Sequence, residues 1–504
     1  MNLERLRKRA SFQSPHERRQ RGPLRQCGRL AAISLLCALA ACSGKKESQF
    51  SADDEITGFA GAVAADEPRA ALVGRDVLVA GGSAADAAAA MYFTLAVTYP
   101  QAAALGGSGV CLVYSPKANK AEALEFLPRQ PRNPGPVTLP ANVRGFAALQ
   151  ARHGRLRWAA VVSPAEQLAL FGAATTRATV RALDALDVDD LAKPAAEPFL
   201  RGADILPEGE SVKLPDLGST LSKLRIGGAN EFYTGSLARP LVEGAREVGG
   251  TLTLDDLRQV TPAWRDAIIF QVDSTTLAVA PGPAGDVFQK IWQGTVTSGL
   301  RFISSASFQR ENLLEAIGKA YGGLSGGERM SSQASTSFSA VDAYGLAVAC
   351  GVGMQHPFGI GRAAGATGVV LAATPEREGD EARFLATVVA YNTVNKQAFA
   401  AATATGALAA PAALAQVAGL AIAANRPLEQ ALAEPRILRA GPQAAVLSEP
   451  KVAPSLLRGA TAAEVSEIGR VNFVYCPSGV PRAPESCRAA SDPRGYGVGQ
   501  IGTK

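Results

Sequence analysis

Hydrolytic and metal chemistry usually draw on histidines, thiols or clustered carboxylates, and this chain supplies histidine sparingly. Only His16, His153 and His356 occur in 504 residues. So small a set cannot build a His-rich zinc site, and it leaves a Ser-His-Asp triad poorly supplied. The seven cysteines are Cys27, Cys37, Cys42, Cys111, Cys350, Cys476 and Cys487, with no CxxC repeat among them. Neither a metal nor another cofactor is expected. The run Leu105-Gly106-Gly107-Ser108-Gly109 lacks the GxGxxG fingerprint and a Lys-Ser/Thr ending. It reads as a tight turn rather than a phosphate cradle.

Two cysteines sit in apolar runs, Cys111 within 110–114 and Cys350 within 346–352. Both runs read as core strands, where a free Cys behaves as a small hydrophobe. Cys476 and Cys487 instead flank the Pro- and Gly-containing loop 477–486, and an oxidising compartment would favour their pairing. One disulfide, Cys476 to Cys487, is expected.

The compartment is read from the start of the chain. Residues 1–41 hold nine Lys/Arg and two Asp/Glu, a surplus of seven against a net charge of +6, so the remainder carries −1. A basic phosphate-binding footprint vanishes with that leader, and no nucleic-acid partner is expected. The leader has a basic region and then the twelve-residue, mainly apolar run 30–41, too short to cross a bilayer and typical of a signal peptide. Leu39-Ala40-Ala41-Cys42 resembles the bacterial lipobox. That likeness implies lipidation of Cys42, with residues 42–56 as a flexible tether. Each buried CH₂ of the acyl chains would contribute about 0.8 kcal/mol to membrane anchoring. The expectation is a periplasmic lipoprotein, and Ser43 in place of Asp points to the outer membrane.

The elements that must position any site follow from pattern. Ser83 caps an Ala-rich helix that stops at Tyr99-Pro100, with Asp86 as a buried structural acid. Thr253 with Asp256 three residues on marks a second helix start. Residues 163–171 and 177–186 look helical, strands return at 268–280, and an Ala-rich helix spans about 408–424, followed by a short one at 427–433. Segments 337–341 and 346–352, separated by Asp342-Ala343-Tyr344-Gly345, form a hairpin signature. Strands packed between helices on both sides predict a four-layer α/β protein.

Several motifs then occur in a telling order: Gly81-Gly82-Ser83-Ala84-Ala85-Asp86-Ala87-Ala88, Gly106-Gly107-Ser108-Gly109, Phe232-Tyr233-Thr234-Gly235, Glu434-Pro435-Arg436 and Asp492-Pro493-Arg494. In this order and spacing the chain resembles the γ-glutamyltranspeptidase family of N-terminal nucleophile hydrolases, from about residue 70 to 497. The resemblance implies an αββα sandwich made of a large part, 57–334, and a small part, 335–504. It also implies self-cleavage after Ala334. The family's Thr-Thr-His-Tyr/Phe-Ser-x-x-Asp motif is matched by Ser335-Thr336-Ser337-Phe338-Ser339-Ala340-Val341-Asp342, which makes Ser335 the nucleophile, with Thr336 as the alternative. A freed α-amine, with a reference pKa of roughly 7.7 to 8.0, supplies the base that histidine supplies elsewhere.

The other carried-over positions depart from the family. Leu127 stands where the arginine that holds the substrate's α-carboxylate is expected, with Arg129 two residues on. Gly353 replaces the supporting Thr, and Gln355 replaces an Asn. The acidic reader of the substrate amine is represented only by the displaced Glu376 and Glu378. The oxyanion pair corresponds to Gly406-Ala407, where donation by backbone N–H needs no side chain. His356 reads as a turn residue, and Gly359 and Gly361 as turn glycines beside the site. The implied function is amide hydrolysis or acyl transfer on glutathione-like or other acyl-amide substrates, small molecules or peptides, by a heterodimer of the chain's own fragments. The alternative is a catalytically degenerate lipoprotein that keeps the fold for a binding or structural role.

Overall fold

Short apolar runs bounded by turns assemble into two antiparallel sheets stacked face to face. The computed structural model describes residues 58–297, 306–322, 334–375 and 385–504; Cys42, expected as the anchor, the expected tether 42–56, Glu376 and Glu378 lie outside them. The first sheet runs in the order Val498–Thr503, Phe59–Ala65, Ser335–Asp342, Ala347–Gly353, Ser108–Ser115, Lys120–Phe126, Ala263–Asp266. The second runs Arg488–Ser491, Arg470–Val480, Gln397–Thr405, Ala386–Asn392, Thr275–Val279, Ile268–Val272.

The core divides as the layers require. One apolar cluster lies between the first sheet and helices Pro68–Val79, Ala84–Thr98, Asn142–His153 and Trp158–Phe171, joining Phe146 and Met91 to Phe338 and Cys350. A second lies between the two sheets, joining Leu112 and Ala349 to Val389 and Val474. A third packs the second sheet on helices Pro283–Thr295, Leu313–Ala320 and Ala410–Ala418. Helix, sheet, sheet, helix is the expected sandwich. The strand Ser335–Asp342 is buried at every position, because helices cover one face and the second sheet the other.

Local chemistry explains the helix starts. Ser83 Oγ accepts from Asp86 N–H while Asp86 accepts from Ser83 N–H, a reciprocal cap on Ala84–Thr98. Thr253 and Asp256 repeat the device before Leu254–Gln259. Asp86 is fully buried and also accepts from Arg155 and Leu156 N–H and from Gln150, a structural role. The Ala-rich segment after Thr405 opens with a 3₁₀ turn, Ala407–Ala409, continues as Ala410–Ala418 and ends in a π turn, Gly419–Ala423.

One cysteine expectation holds and one is corrected. Cys476 and Cys487 form a disulfide. Cys111 and Cys350 are not free thiols: they are bonded to each other, Cα to Cα 4.1 Å, across 239 residues of sequence. The reason is register, since strands Ser108–Ser115 and Ala347–Gly353 pair with Cys111 directly opposite Cys350.

Candidate active site

Ser335 opens an inner strand of the first sheet, opposite Gly353. It is 4% exposed, and its Oγ has no hydrogen-bond partner among the described residues. The carbonyl of Ala334 immediately before it accepts from Met354 N–H at 2.8 Å. A nucleophile-type hydroxyl without a partner and a carbonyl held by Met354 N–H therefore adjoin in the chain.

Thr336, the alternative nucleophile, is committed elsewhere: its hydroxyl donates to Asp66 Oδ2 at 2.9 Å. Asp66 follows the strand Phe59–Ala65 and also accepts from Ser337 N–H at 3.1 Å and from Asn472 Nδ2 at 2.7 Å. Asn472 additionally donates to the Ser337 carbonyl at 2.9 Å, so one amide ties the two sheets together just beyond Ser335. Burial pushes the Asp66 carboxyl up, against the pull of Arg470 and of these donors. Arg470 in turn donates to Tyr99 Oη at 3.4 Å. Nothing in the sequence beyond an acid ending an apolar run, Asp66, and an arginine opening another, Arg470, hinted at this network.

The carried-over positions divide into those that gather here and those that do not. A Cβ built on Gly353 would lie 3.6 Å from Ser335 Cβ and 3.3 Å from the Ala334 oxygen. Position 353 thus touches the nucleophile position, although glycine leaves it without a hydroxyl. Gln355 is half-buried with φ 68°, and His356 beside it is half-buried in the turn that follows. The Gly406-Ala407 turn has φ values of 122° and 50°, and a Cβ at Gly406 would come within 2.6 Å of Gly469 Cα, so glycine is required there. The turn follows Thr405, which pairs with Arg470, the residue whose guanidinium reaches Tyr99. It therefore closes the same end of the sandwich as Ser335.

Leu127 is half-buried against the apolar cluster between the sheets, and with the exposed Arg129 it lines a small cavity beside Leu139 and Val260. Neither offers the buried cation that a carboxylate clamp needs. The Gly106-Gly107 turn is tight, as read from sequence: a Cβ on Gly107 would meet the Gly353 oxygen at 2.7 Å and Met354 sulfur at 2.9 Å. Among the described residues no group of His, Cys, Asp and Glu could hold a metal.

Residues 70–293 match the γ-glutamyltranspeptidase family model. Over that stretch the chain is similar to the γ-glutamyltranspeptidases. A glutathione hydrolase proenzyme of Pseudomonas aeruginosa is 32% identical over 275 residues, 50% of this chain and 47% of that protein. Glutathione hydrolase 3 of Arabidopsis thaliana is 29% identical over 286 residues, 53% of this chain and 43% of that protein. The match thus spans less than half the length of these curated proteins. Over the fold as a whole it superposes on the cephalosporin acylase of Bacillus halodurans with a TM-score of 0.70 and 20% identity, covering 88% of this chain and 96% of that one. The two share one fold. The family match ends before Ser335, so the nucleophile position rests on the motif and on its place in the sheet.

Proposed function

We propose that this protein is an acyl-amide hydrolase or acyltransferase that cuts itself before Ser335 and then uses Ser335 on glutathione-like or other acyl amides. The observation that carries the reading is the juxtaposition of an unpartnered, buried Ser335 hydroxyl with an Ala334 carbonyl already held by Met354 N–H. In the uncut chain the hydroxyl is shielded from solvent, so the peptide bond next to it is the first carbonyl within reach. Attack by Ser335 Oγ on the Ala334 carbonyl carbon transfers the acyl group from nitrogen to oxygen. Water then hydrolyses the ester, leaving an Ala334 carboxylate and a Ser335 α-amine. That amine takes the proton from Oγ in the second, intermolecular reaction. The Gly406-Ala407 backbone is the candidate oxyanion donor.

Within that class, Leu127 in place of the clamp arginine favours the other acyl amides, whose acyl group carries no α-carboxylate, over glutathione-like ones. The same replacement is what favours the second reading, a binding protein that keeps the fold without turnover. We further propose a periplasmic setting with Cys42 as lipid anchor; two disulfides support an oxidising compartment.

Intact-mass measurement of purified protein under reducing conditions tests both readings. Two fragments meeting at the Ala334–Ser335 bond are expected, with one uncut chain in Ser335→Ala and a fall in anilide hydrolysis of at least about 10³-fold. A wild-type chain that remains whole and hydrolyses no acyl anilide would leave only the binding reading.

A further inference from the structure

Gln101 belongs to the short helical turn Pro100–Ala103 and has no exposed surface. Neither its Nε2 nor its Oε1 has a hydrogen-bond partner among the described residues. A buried primary amide with both ends unpaired is costly, and native interiors nearly always satisfy such groups. Its backbone leaves little freedom to move away. The Gln101 carbonyl accepts from Phe358 N–H at 3.0 Å. Preceding it, Tyr99 accepts from Arg470; following it, Ala104 packs on Met354, the residue whose N–H holds the Ala334 carbonyl. The turn is therefore pinned against the end of the first sheet at which Ser335 opens its strand. Two other buried polar atoms without partners belong to residues at that end, Ser335 Oγ and Thr405 Oγ1. Among the described residues Gln101 is the one buried side chain with two polar atoms unpaired, and its place beside the Ser335 end of the strand marks a position that a polar ligand completes.

We propose that Gln101 is a substrate-binding residue whose carboxamide pairs with the amide of the acyl-amide substrate, donating from Nε2 to its carbonyl and accepting its N–H at Oε1. The inference rests on the function proposed above and adds a chemical class: a neutral amide is recognised as such, with no charged group required at this point. An ester offers the same carbonyl but no N–H, so it loses half of the pairing.

The test uses the full chain as isolated, with Gln101→Met as an apolar replacement of similar length. Thermal shift and equilibrium binding are measured with acetanilide, phenylacetanilide and γ-glutamylanilide, and with phenyl acetate as the ester control. At least one anilide should bind wild type about tenfold more tightly than Gln101→Met, while the ester, keeping only the carbonyl contact, distinguishes the two less. Without ligand, Gln101→Met should melt at or above the wild-type temperature, because it removes an unpaired buried amide. A variant that melts lower or fails to fold would show that the amide is structurally engaged and overturn the proposal. So would a panel in which no anilide binds, or one whose affinities are unchanged by the substitution. Turnover that depends on Ser335 is scored separately: its absence removes the proposed function, whereas Gln101-dependent anilide binding stands or falls by itself.

Discussion

Asp66 shows why residue identity beneath the nucleophile position is exacting. Its two oxygens accept from Thr336 Oγ1 and Ser337 N–H on one side and from Asn472 Nδ2 on the other. An asparagine there must turn an NH₂ group toward at least one of those donors, leaving buried polar groups unpaired. Asp66→Asn should therefore destabilise the protein by about 2–4 kcal/mol in urea titrations and slow self-cleavage through displacement of the first residues of the strand. An unchanged midpoint would mean that the network does not hold Ser335 in place. Gly353 allows the complementary gain. Because a side chain there would touch Ser335, Gly353→Ser restores a hydroxyl beside the nucleophile position, and self-cleavage should accelerate by up to about tenfold, the worth of one hydrogen bond. Time courses of fragment appearance on reducing gels read the rate. Slower cleavage would show that the 3.3 Å approach to the Ala334 oxygen is not relieved.

Between residue and molecule lie the contacts that hold helix to sheet. His153 ends the helix Asn142–His153, its ring lies 5.5 Å from that of Trp264 on the edge strand, and its Nε2 has no partner among the described residues. Burial, with Arg152 beside it and Glu122 opposing, lowers its pKa from 6.5 to about 4. The unfolded chain thus binds the proton more readily than the folded one between those values. Stability is complete above about pH 6.5 and falls as the pH drops toward 4. His153→Gln removes this titration, so the acid-side decline in melting temperature should be shallower in the variant; parallel curves would contradict the assignment. The same element scale shows what local patterns could and could not reveal. The caps at Ser83 and Thr253 were legible because partner and cap lie three residues apart in the chain. Cys111 and Cys350 looked like isolated apolar residues because their pairing is created only when two strands from distant segments register.

That pairing matters most for the molecule as a whole. Cys111 precedes the proposed cut and Cys350 follows it, so their disulfide joins the two fragments covalently, whereas Cys476 and Cys487 both lie in the second. Denaturing electrophoresis without reductant should therefore show one species even for fully cut protein, and reductant should release two. Cys350→Ser should release them without reductant. A cut wild-type protein that separates into fragments without reductant would refute the bridge. The sheets reinforce the link, since strands Phe59–Ala65 and Ala347–Gly353 flank Ser335–Asp342 from opposite sides of the cut site in sequence.

The amino-acid order alone was enough for the layered α/β class, the hairpin 337–352, the helix caps, the Cys476–Cys487 pair and the motif that singles out Ser335. All of these depend on neighbours within roughly a dozen residues or on motif order. Three-dimensional packing decided the rest: that Thr336 spends its hydroxyl on Asp66, that Gly353 touches Ser335, that Leu127 packs half-buried against the apolar interlayer, and that Gln101 is buried with its amide unpaired. Each depends on segments far apart in the chain meeting in one register, and pairings of that kind are set by the summed burial of whole sheets, which no local pattern encodes.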